Sequence, residues 1–155
     1  RDGDRRWVDN SPQWIRAACE ASLRRLGIDE IDLYYMHRRD PDVPVDEFVD
    51  AMDQEVRAGR IRGPFGGSNW TKERMDEAIA YAERTGKQKP GALSNNFSLA
   101  EMLVPIWPGC VTSSSDEWKA WLTARQMPNF AWSSQGQDHR SRAASRTEGR
   151  SLTGG

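Results

Sequence analysis

Four short β-prone segments alternate with helical segments along this chain at intervals of about 30 residues. The β-prone segments cover 31–36, 61–67, 91–95 and 129–133. Alternation at this spacing is typical of βαβ units, whose strands lie parallel in one sheet. The pattern therefore predicts an α/β fold. Crossovers of this kind either close into a barrel or spread as a doubly wound sheet, and the period alone does not choose between them.

The helical segments carry capping residues at their ends. Ser11 and Pro12 open the first helix, and Gly27 stops it. Pro44 opens the second helix, and Gly59 closes it. Thr71 and Gly86 bound the third predicted helix. A further helical stretch is predicted at residues 100–103, and the last helix runs from Ser115 to about Gln126.

The charge balance and the cysteines exclude several classes of protein. The chain has 22 basic and 23 acidic side chains, so nothing suggests a nucleic-acid groove or an anionic membrane surface. It has no signal-peptide pattern and no apolar run approaching the roughly 20 residues that span a bilayer. Cys19 and Cys110 lie far apart without metal-ligand spacing, which indicates reduced thiols. We expect a cytoplasmic protein whose natural start lies upstream, because the chain does not begin with methionine.

The composition changes after residue 137. Residues 138–155 are rich in Arg, Ser, Thr and Gly, and Leu152 is their only large apolar residue. Such a segment buries too little apolar area to offset the entropy of ordering, so we expect a disordered tail. An arginine-rich nucleic-acid tail is the less favoured interpretation, behind an expression remnant or a reading-frame error. The predicted domain therefore covers residues 1–137.

Polar or aromatic residues follow each predicted strand, where an active site would lie in a parallel α/β protein. His37 follows the first strand, and a histidine there can donate a hydrogen bond to a substrate carbonyl or relay a proton. The alternative is a solvent-facing loop histidine. A metal site with Asp40 and Asp42 is disfavoured because neither has a second histidine or cysteine nearby, so we predict no metal.

The other three strand ends have the same character. Gly66-Gly67-Ser68-Asn69 ends the second strand, where two glycines allow close backbone approach and Ser and Asn offer hydroxyl and amide groups. This combination would suit an amide-bearing ring such as nicotinamide. A plain strand-to-helix turn is the alternative. Ser94-Asn95-Asn96 ends the third strand, and Trp132-Ser133 ends the fourth, where Trp132 could equally be core filler. Together these strand ends predict a pocket at one edge of the sheet.

Several motifs in chain order resemble the aldo-keto reductase family. Residues 21–27 and 31–37 resemble its helix three and strand four, and residues 44–48 and 57–62 resemble the next crossover. Residues 67–69 resemble its strand five, and residues 130–133 its strand seven. The resemblance implies part of a (β/α)8 TIM-type barrel, from about helix three to strand seven. It also implies NADPH as cofactor and a small-molecule aldehyde or ketone as substrate, reduced by hydride transfer.

The resemblance also implies roles for individual residues. His37 matches the histidine that orients and polarises the carbonyl, and Ser68 and Asn69 match the pair that holds the nicotinamide carboxamide. Trp132 matches the aromatic residue that stacks on the nicotinamide ring, and Ser133 begins the loop that holds the pyrophosphate. Ser94 stands where the family has a glutamine that contacts the same carboxamide, and Asn95 could make that contact in its place.

The sequence departs from the family pattern in three respects. The family's aspartate, tyrosine acid and lysine would precede Arg1, and its segment for the adenosine phosphate would follow Gln135. Gly63-Pro64 makes the strand-five run one residue longer, which predicts a local distortion or a bulge. We therefore expect an oxidoreductase fragment that is inactive by itself. A non-catalytic binding or regulatory protein on the same scaffold remains the alternative.

Overall fold

A computed structural model of the chain describes residues 10–37, 42–99, 102, 105 and 107–134. The predicted tail at 138–155 lies outside the described residues. Helices and strands alternate through the described part of the chain. In order, the elements are α1 (Pro12–Leu26), β1 (Tyr34–Met36), α2 (Val45–Arg57), β2 (Phe65–Ser68), α3 (Lys72–Thr85), β3 (Ala92–Ser94) and α4 (Asp116–Arg125).

The three strands form one parallel sheet in the order β1-β2-β3. At the carboxyl edge, Met36 of β1 pairs with Gly67 of β2, and Ser68 of β2 pairs with Ser94 of β3. The predicted parallel α/β arrangement is therefore confirmed. The register brings the ends of all three strands to the same edge of the sheet.

The fourth predicted strand, at 129–133, forms only isolated parallel bridges. Leu93 bridges to Asn129, and Asn96 bridges to Trp132. Between these bridges, the Asn95 backbone N–H donates to the side-chain Oδ1 of Asn129 at 3.0 Å. A side-chain oxygen thus takes the place of a backbone carbonyl, and the regular ladder is interrupted.

The predicted irregularity at Gly63-Pro64 is present in the sheet. Ile31 bridges to Ile61, but Tyr34 pairs with Phe65, so the second segment has one residue more between the two pairings. One extra residue on one of two paired strands is a β-bulge. A Cβ atom added at Gly63 would lie 1.6 Å from the carbonyl oxygen of Asp32, so the bulge requires glycine there.

We predict that Gly63→Ala destabilises the fold by about 1–3 kcal/mol or more, because backbone must move to relieve the clash. Urea unfolding followed by circular dichroism measures the change. Gly27→Ala is a suitable control, since an added Cβ meets nothing within 4 Å and only the positive φ of 67° is unfavourable. Equal losses in the two variants would contradict the clash at Gly63.

The helix boundaries follow the capping residues. Gly27 and Gly86 each end a helix with φ of 67°, a left-handed conformation that favours glycine. At the start of α3, Thr71 Oγ1 accepts a hydrogen bond from the Arg74 N–H at 3.3 Å. These signals are local in sequence, which is why the predicted boundaries are confirmed to within a residue or two.

The hydrophobic core lies between the sheet and the helices that pack on one of its faces. Phe48 of α2 contacts both Phe65 of β2 and the buried ring of Trp70. Near the end of α2, the buried carboxylate of Glu55 is paired with the Arg60 guanidinium, whose Nη2 lies 3.0 Å from Oε1. The α2–β2 turn is therefore held by apolar packing and by a paired charge together.

The last helix, α4, packs on α3 through polar contacts. Asp76 accepts a hydrogen bond from the Trp121 indole at 3.2 Å and forms an ion pair with Arg125 at 2.7 Å. Trp118 and Trp121 pack partly against the core. In the described ranges, no helix is both long and apolar enough to cross a lipid bilayer.

Burial changes the acidity of a thiol in the core. Cys19 of α1 is fully buried, and this burial, with the nearby Glu55 carboxylate, raises the pKa of its thiol from 9.0 to about 11. The thiol of the unfolded chain ionises near the ordinary value. The unfolded state is therefore favoured as the pH rises from about 9 towards 11.

We predict that the free energy of unfolding falls as the pH rises from about 9 towards 11, and that Cys19→Ala reduces this slope. Urea titrations at several pH values provide the measurement. Thiol labelling is an independent readout: Cys110 is partly exposed, whereas Cys19 should react only after unfolding. Rapid labelling of both thiols in the folded protein would contradict the prediction.

Candidate functional site

Side-chain alternation along the strands separates the helix face of the sheet from the opposite face. Tyr34 and Met36 of β1 and Phe65 of β2 belong to the core on the helix side. By alternation, Ser68 and Ser94 lie on the opposite face, where they are neighbours in register. His37 directly follows β1 at the same carboxyl edge and is exposed, so its imidazole is accessible.

Three donors converge on the carbonyl oxygen of Ser94. Ser68 Oγ donates to it at 2.8 Å, the Asn69 backbone N–H at 3.2 Å, and the Trp132 indole Nε1–H at 3.2 Å. The three donors come from the ends of β2 and of the bridged segment at 129–132. One backbone carbonyl therefore joins three of the predicted site residues to the end of β3.

Asn69 is held in an unusual conformation at the end of β2. Its φ is 59°, in the left-handed region that Asn tolerates better than most residues. The side-chain Nδ2 donates to Ser68 Oγ at 3.2 Å, and Oδ1 accepts from the Val111 backbone N–H at 3.1 Å. Both ends of the amide are thus fixed by neighbours, and the residue is 7% exposed.

The remaining residues of the β3 end point elsewhere. Ser94 Oγ donates to the Phe130 carbonyl at 3.1 Å. Asn95 is fully buried, and its Nδ2 donates to the Trp70 carbonyl at 2.9 Å, while its Oδ1 has no partner among the described residues. The structure therefore places the Asn95 amide against Trp70, away from the hydroxyls of Ser68 and Ser94.

Trp132 presents an aromatic surface beside these polar groups. Its ring is stacked on that of Trp107, with centroids 5.1 Å apart and planes 18° apart. Ser133 follows with φ of 51° and is exposed. The structure thus brings Ser68, Asn69 and Trp132 together around the Ser94 carbonyl, with His37 at the same edge.

Sequence reasoning missed the contribution of the segment 107–113. Asn96, at the end of β3, donates its backbone N–H to the Val111 carbonyl at 3.1 Å and accepts from the Ser113 N–H at 2.8 Å. These contacts use backbone atoms, which leave no mark on the sequence. Pro108-Gly109 was the available signal, since this pair favours a tight turn.

The polar groups at this edge have hydrogen-bonding positions left for a primary amide, and the residues that carry them are 3% (Ser68) and 7% (Asn69) exposed. Among the described residues, Ser68 Oγ accepts one hydrogen bond and has a second lone pair, while Asn69 Nδ2 uses one of its two hydrogens. A carboxamide could donate to the first and accept from the second. The partly exposed ring of Trp132 suits a planar ring. The chemistry of these residues therefore fits a nicotinamide group.

Comparison with known proteins identifies the family. The family described as "Aldo/keto reductase family" matches residues 3–105 of the chain. The chain belongs to the aldo/keto reductase family. Membership identifies the parallel sheet and its helices as part of a (β/α)8 barrel, which confirms the predicted fold class.

Two curated relatives match a shorter stretch. The probable aldo-keto reductase 1 of Glycine max is 40% identical over 55 residues, 36% of this chain and 16% of that protein. The aldo-keto reductase yakc of Schizosaccharomyces pombe, whose name includes NADP(+), is 46% identical over 55 residues with the same coverage. The matched stretch thus spans only about a sixth of each relative.

The chain is also similar to a solved structure, a glycerol dehydrogenase from Gluconobacter oxydans. The identity is 29% and the TM-score 0.49, over 60% of this chain and 27% of that one. The chain therefore matches less than a third of that structure.

We predict that Asn69→Ala destabilises the protein by about 1–3 kcal/mol, because the Val111 N–H loses its acceptor and alanine is strained at positive φ. Asn69→Gly is the matched control, since it removes the same side chain without the strain. Urea unfolding should show the alanine variant to be about 1 kcal/mol less stable than the glycine variant. Equal stability of the two variants would show that residue 69 is not held at positive φ.

Proposed function

We propose that this chain is part of an NADPH-dependent oxidoreductase that reduces aldehydes or ketones, and that the strand ends described above bind the nicotinamide end of the cofactor. The observation that supports the proposal is the convergence of Ser68, Asn69 and Trp132 on the Ser94 carbonyl, with His37 at the same edge. Family membership and the NADP(+) in the name of one relative agree with it.

Each cofactor-binding residue has a distinct role in this proposal. Ser68 Oγ accepts from the carboxamide NH2 group, and Asn69 Nδ2 donates to the carboxamide oxygen. Trp132 would stack against the ring, and Ser133 would approach the pyrophosphate. When bound, NADPH supplies the hydride, while the protein supplies position and electrostatics. We assign Ser94 and Asn95 no contact with the carboxamide in this proposal. The Ser94 hydroxyl donates to the Phe130 carbonyl, and the Asn95 amide donates to the Trp70 carbonyl.

His37 is the residue proposed to contact the substrate. As an exposed side chain at the carboxyl end of β1, it can donate a hydrogen bond to the oxygen of a small-molecule carbonyl. Such a bond orients the carbonyl and stabilises the negative charge that develops on its oxygen. We also propose that this reductase is located in the cytoplasm.

We further propose that a polypeptide of these 155 residues is a poor catalyst by itself. The resemblance assigns none of its residues to the family's tyrosine acid, and general acid catalysis contributes roughly 10²–10⁴-fold. We therefore expect this chain to bind the nicotinamide end of NADPH without reducing a carbonyl substrate at an appreciable rate. The alternative is a non-catalytic binding protein on the same scaffold. Such a protein would also bind nicotinamide through Ser68 and Asn69 and would also show no turnover, but it would not require His37.

We predict that the nicotinamide ring protons of NADPH receive saturation-transfer NMR signal from the chain, and that Ser68→Ala weakens binding several-fold by removing one hydrogen bond. Ser22→Ala is the matched control, since that hydroxyl donates to the Ala18 carbonyl and accepts from Arg25, both within α1. Absence of transfer to the nicotinamide protons at millimolar NADPH, or equal weakening by both substitutions, would contradict the proposed site.

Turnover is measured separately, as NADPH consumption with 4-nitrobenzaldehyde. We expect that neither the chain nor its His37→Ala variant consumes NADPH faster than a mixture of NADPH and aldehyde without protein. An enzyme-like rate that is lost on His37→Ala would contradict the proposed inactivity of the chain, and would mean that a second copy or another residue supplies the proton. That result would leave the assignment of His37 supported.

A further inference from the structure

Trp107 and Trp132 form an aromatic pair at the edge of the proposed cofactor site. Their rings are nearly parallel, with an interplanar angle of 18° and a centroid distance of 5.1 Å, which is an offset stack. The indole N–H of Trp132 is directed to the Ser94 carbonyl. The plane of Trp132 is therefore set by two contacts, a hydrogen bond at its edge and a stack on one face.

The same segment also fixes Asn69. Four residues after Trp107, the Val111 backbone N–H donates to Asn69 Oδ1 at 3.1 Å, and the Val111 carbonyl accepts from the Asn96 N–H. This bond directs the oxygen of the Asn69 amide towards Val111 and its nitrogen towards Ser68. The segment thus determines which end of the amide is available to a ligand.

A tight turn links these two contacts. The Cys110 N–H donates to the Trp107 carbonyl at 3.1 Å, Pro108 occupies the second position of the turn, and Gly109 has φ of 84° at the third. Proline followed by glycine at positive φ is the signature of a type II turn. Because proline restricts the chain before folding, Trp107 and Val111 are held at a short, defined separation.

We propose that Trp107 is a positioning residue for the nicotinamide: its stack orients Trp132, while Val111, at the other side of the Pro108-Gly109 turn, orients the Asn69 amide. This inference rests on the proposed function, since it names what aligns the two groups that hold the ring and its carboxamide. In this proposal Trp107 covers one face of the Trp132 ring, and the nicotinamide stacks on the other.

The opposite interpretation is that Trp107 occupies the ring face that the cofactor needs. The two differ in the sign of one measurement. If Trp107 positions Trp132, substitution of Trp107 weakens nicotinamide binding, because the Trp132 ring is no longer held in one plane. If Trp107 obstructs the site, its removal strengthens binding.

The experiment uses the full chain, labelled with ¹⁵N and titrated with reduced nicotinamide mononucleotide as the probe. The variants are Trp107→Ala and the conservative Trp107→Phe, with Gly109→Ala as a second way of disturbing the turn. Aromatic stacking of this kind corresponds to about 2- to 10-fold in affinity. We therefore expect Trp107→Ala and Gly109→Ala to raise the Kd by that factor, and Trp107→Phe to restore most of it.

The ligand-free spectra separate positioning from general loss of structure. In Trp107→Ala, the Trp132 indole N–H and Asn69 side-chain amide signals should shift and exchange faster with solvent. Backbone signals of Cys19 and Tyr34, in the core at the far side of the sheet, should not move. Unchanged Trp132 and Asn69 signals, an unchanged Kd or a lower Kd would each overturn the inference.

Failure of the proposed function is recognisable in the same experiment. If the probe perturbs neither Trp132 nor Ser68 in the unsubstituted chain, there is no nicotinamide site at this edge, and both proposals are overturned. If the probe binds there with equal affinity to all variants, the proposed function stands and only the role of Trp107 is wrong.

Discussion

The parallel register of β1, β2 and β3 determines which side chains meet at the carboxyl edge. Side chains alternate between the two faces of a strand, so a slip of one residue would turn Ser68 towards the helices. The bulge at Gly63 and Pro64 adds a residue within this register, after the Ile31–Ile61 bridge. A local irregularity near the start of β2 therefore decides the orientation of the polar groups at its end.

The signals that predicted the fold act over short distances in sequence. Glycine at positive φ and a threonine cap mark helix ends wherever they stand, so the boundaries at Gly27, Thr71 and Gly86 could be predicted. A fourth strand was predicted at 129–133, but its interruption could not be, because the interruption involves the Asn129 side chain accepting from the Asn95 N–H of the neighbouring strand. Contacts between residues that are distant in sequence are chosen by packing rather than by local preference.

The sequence predicted which residues stand at the strand ends of the candidate site, but not the hydrogen bonds that link them. Ser68, Asn69 and Trp132 stand where strands end, which the alternation of elements indicates. Their bonds to the Ser94 carbonyl and to Val111 involve backbone atoms, which every residue type provides alike. The side chain of Asn95 shows the same limit, since sequence order placed it beside the site and packing turned it to Trp70.

The carbonyl oxygen of Ser94 receives three hydrogen bonds, more than its two lone pairs accommodate individually. All three are insensitive to which side chain residue 94 carries. The Ser94 hydroxyl, by contrast, donates to the Phe130 carbonyl, so a side chain without a donor would lose this one contact and leave the other three in place. The peptide oxygen of residue 94 joins the ends of β2, β3 and the 129–132 segment. The atom that holds this edge together therefore belongs to the backbone, where no substitution of the side chain can remove it.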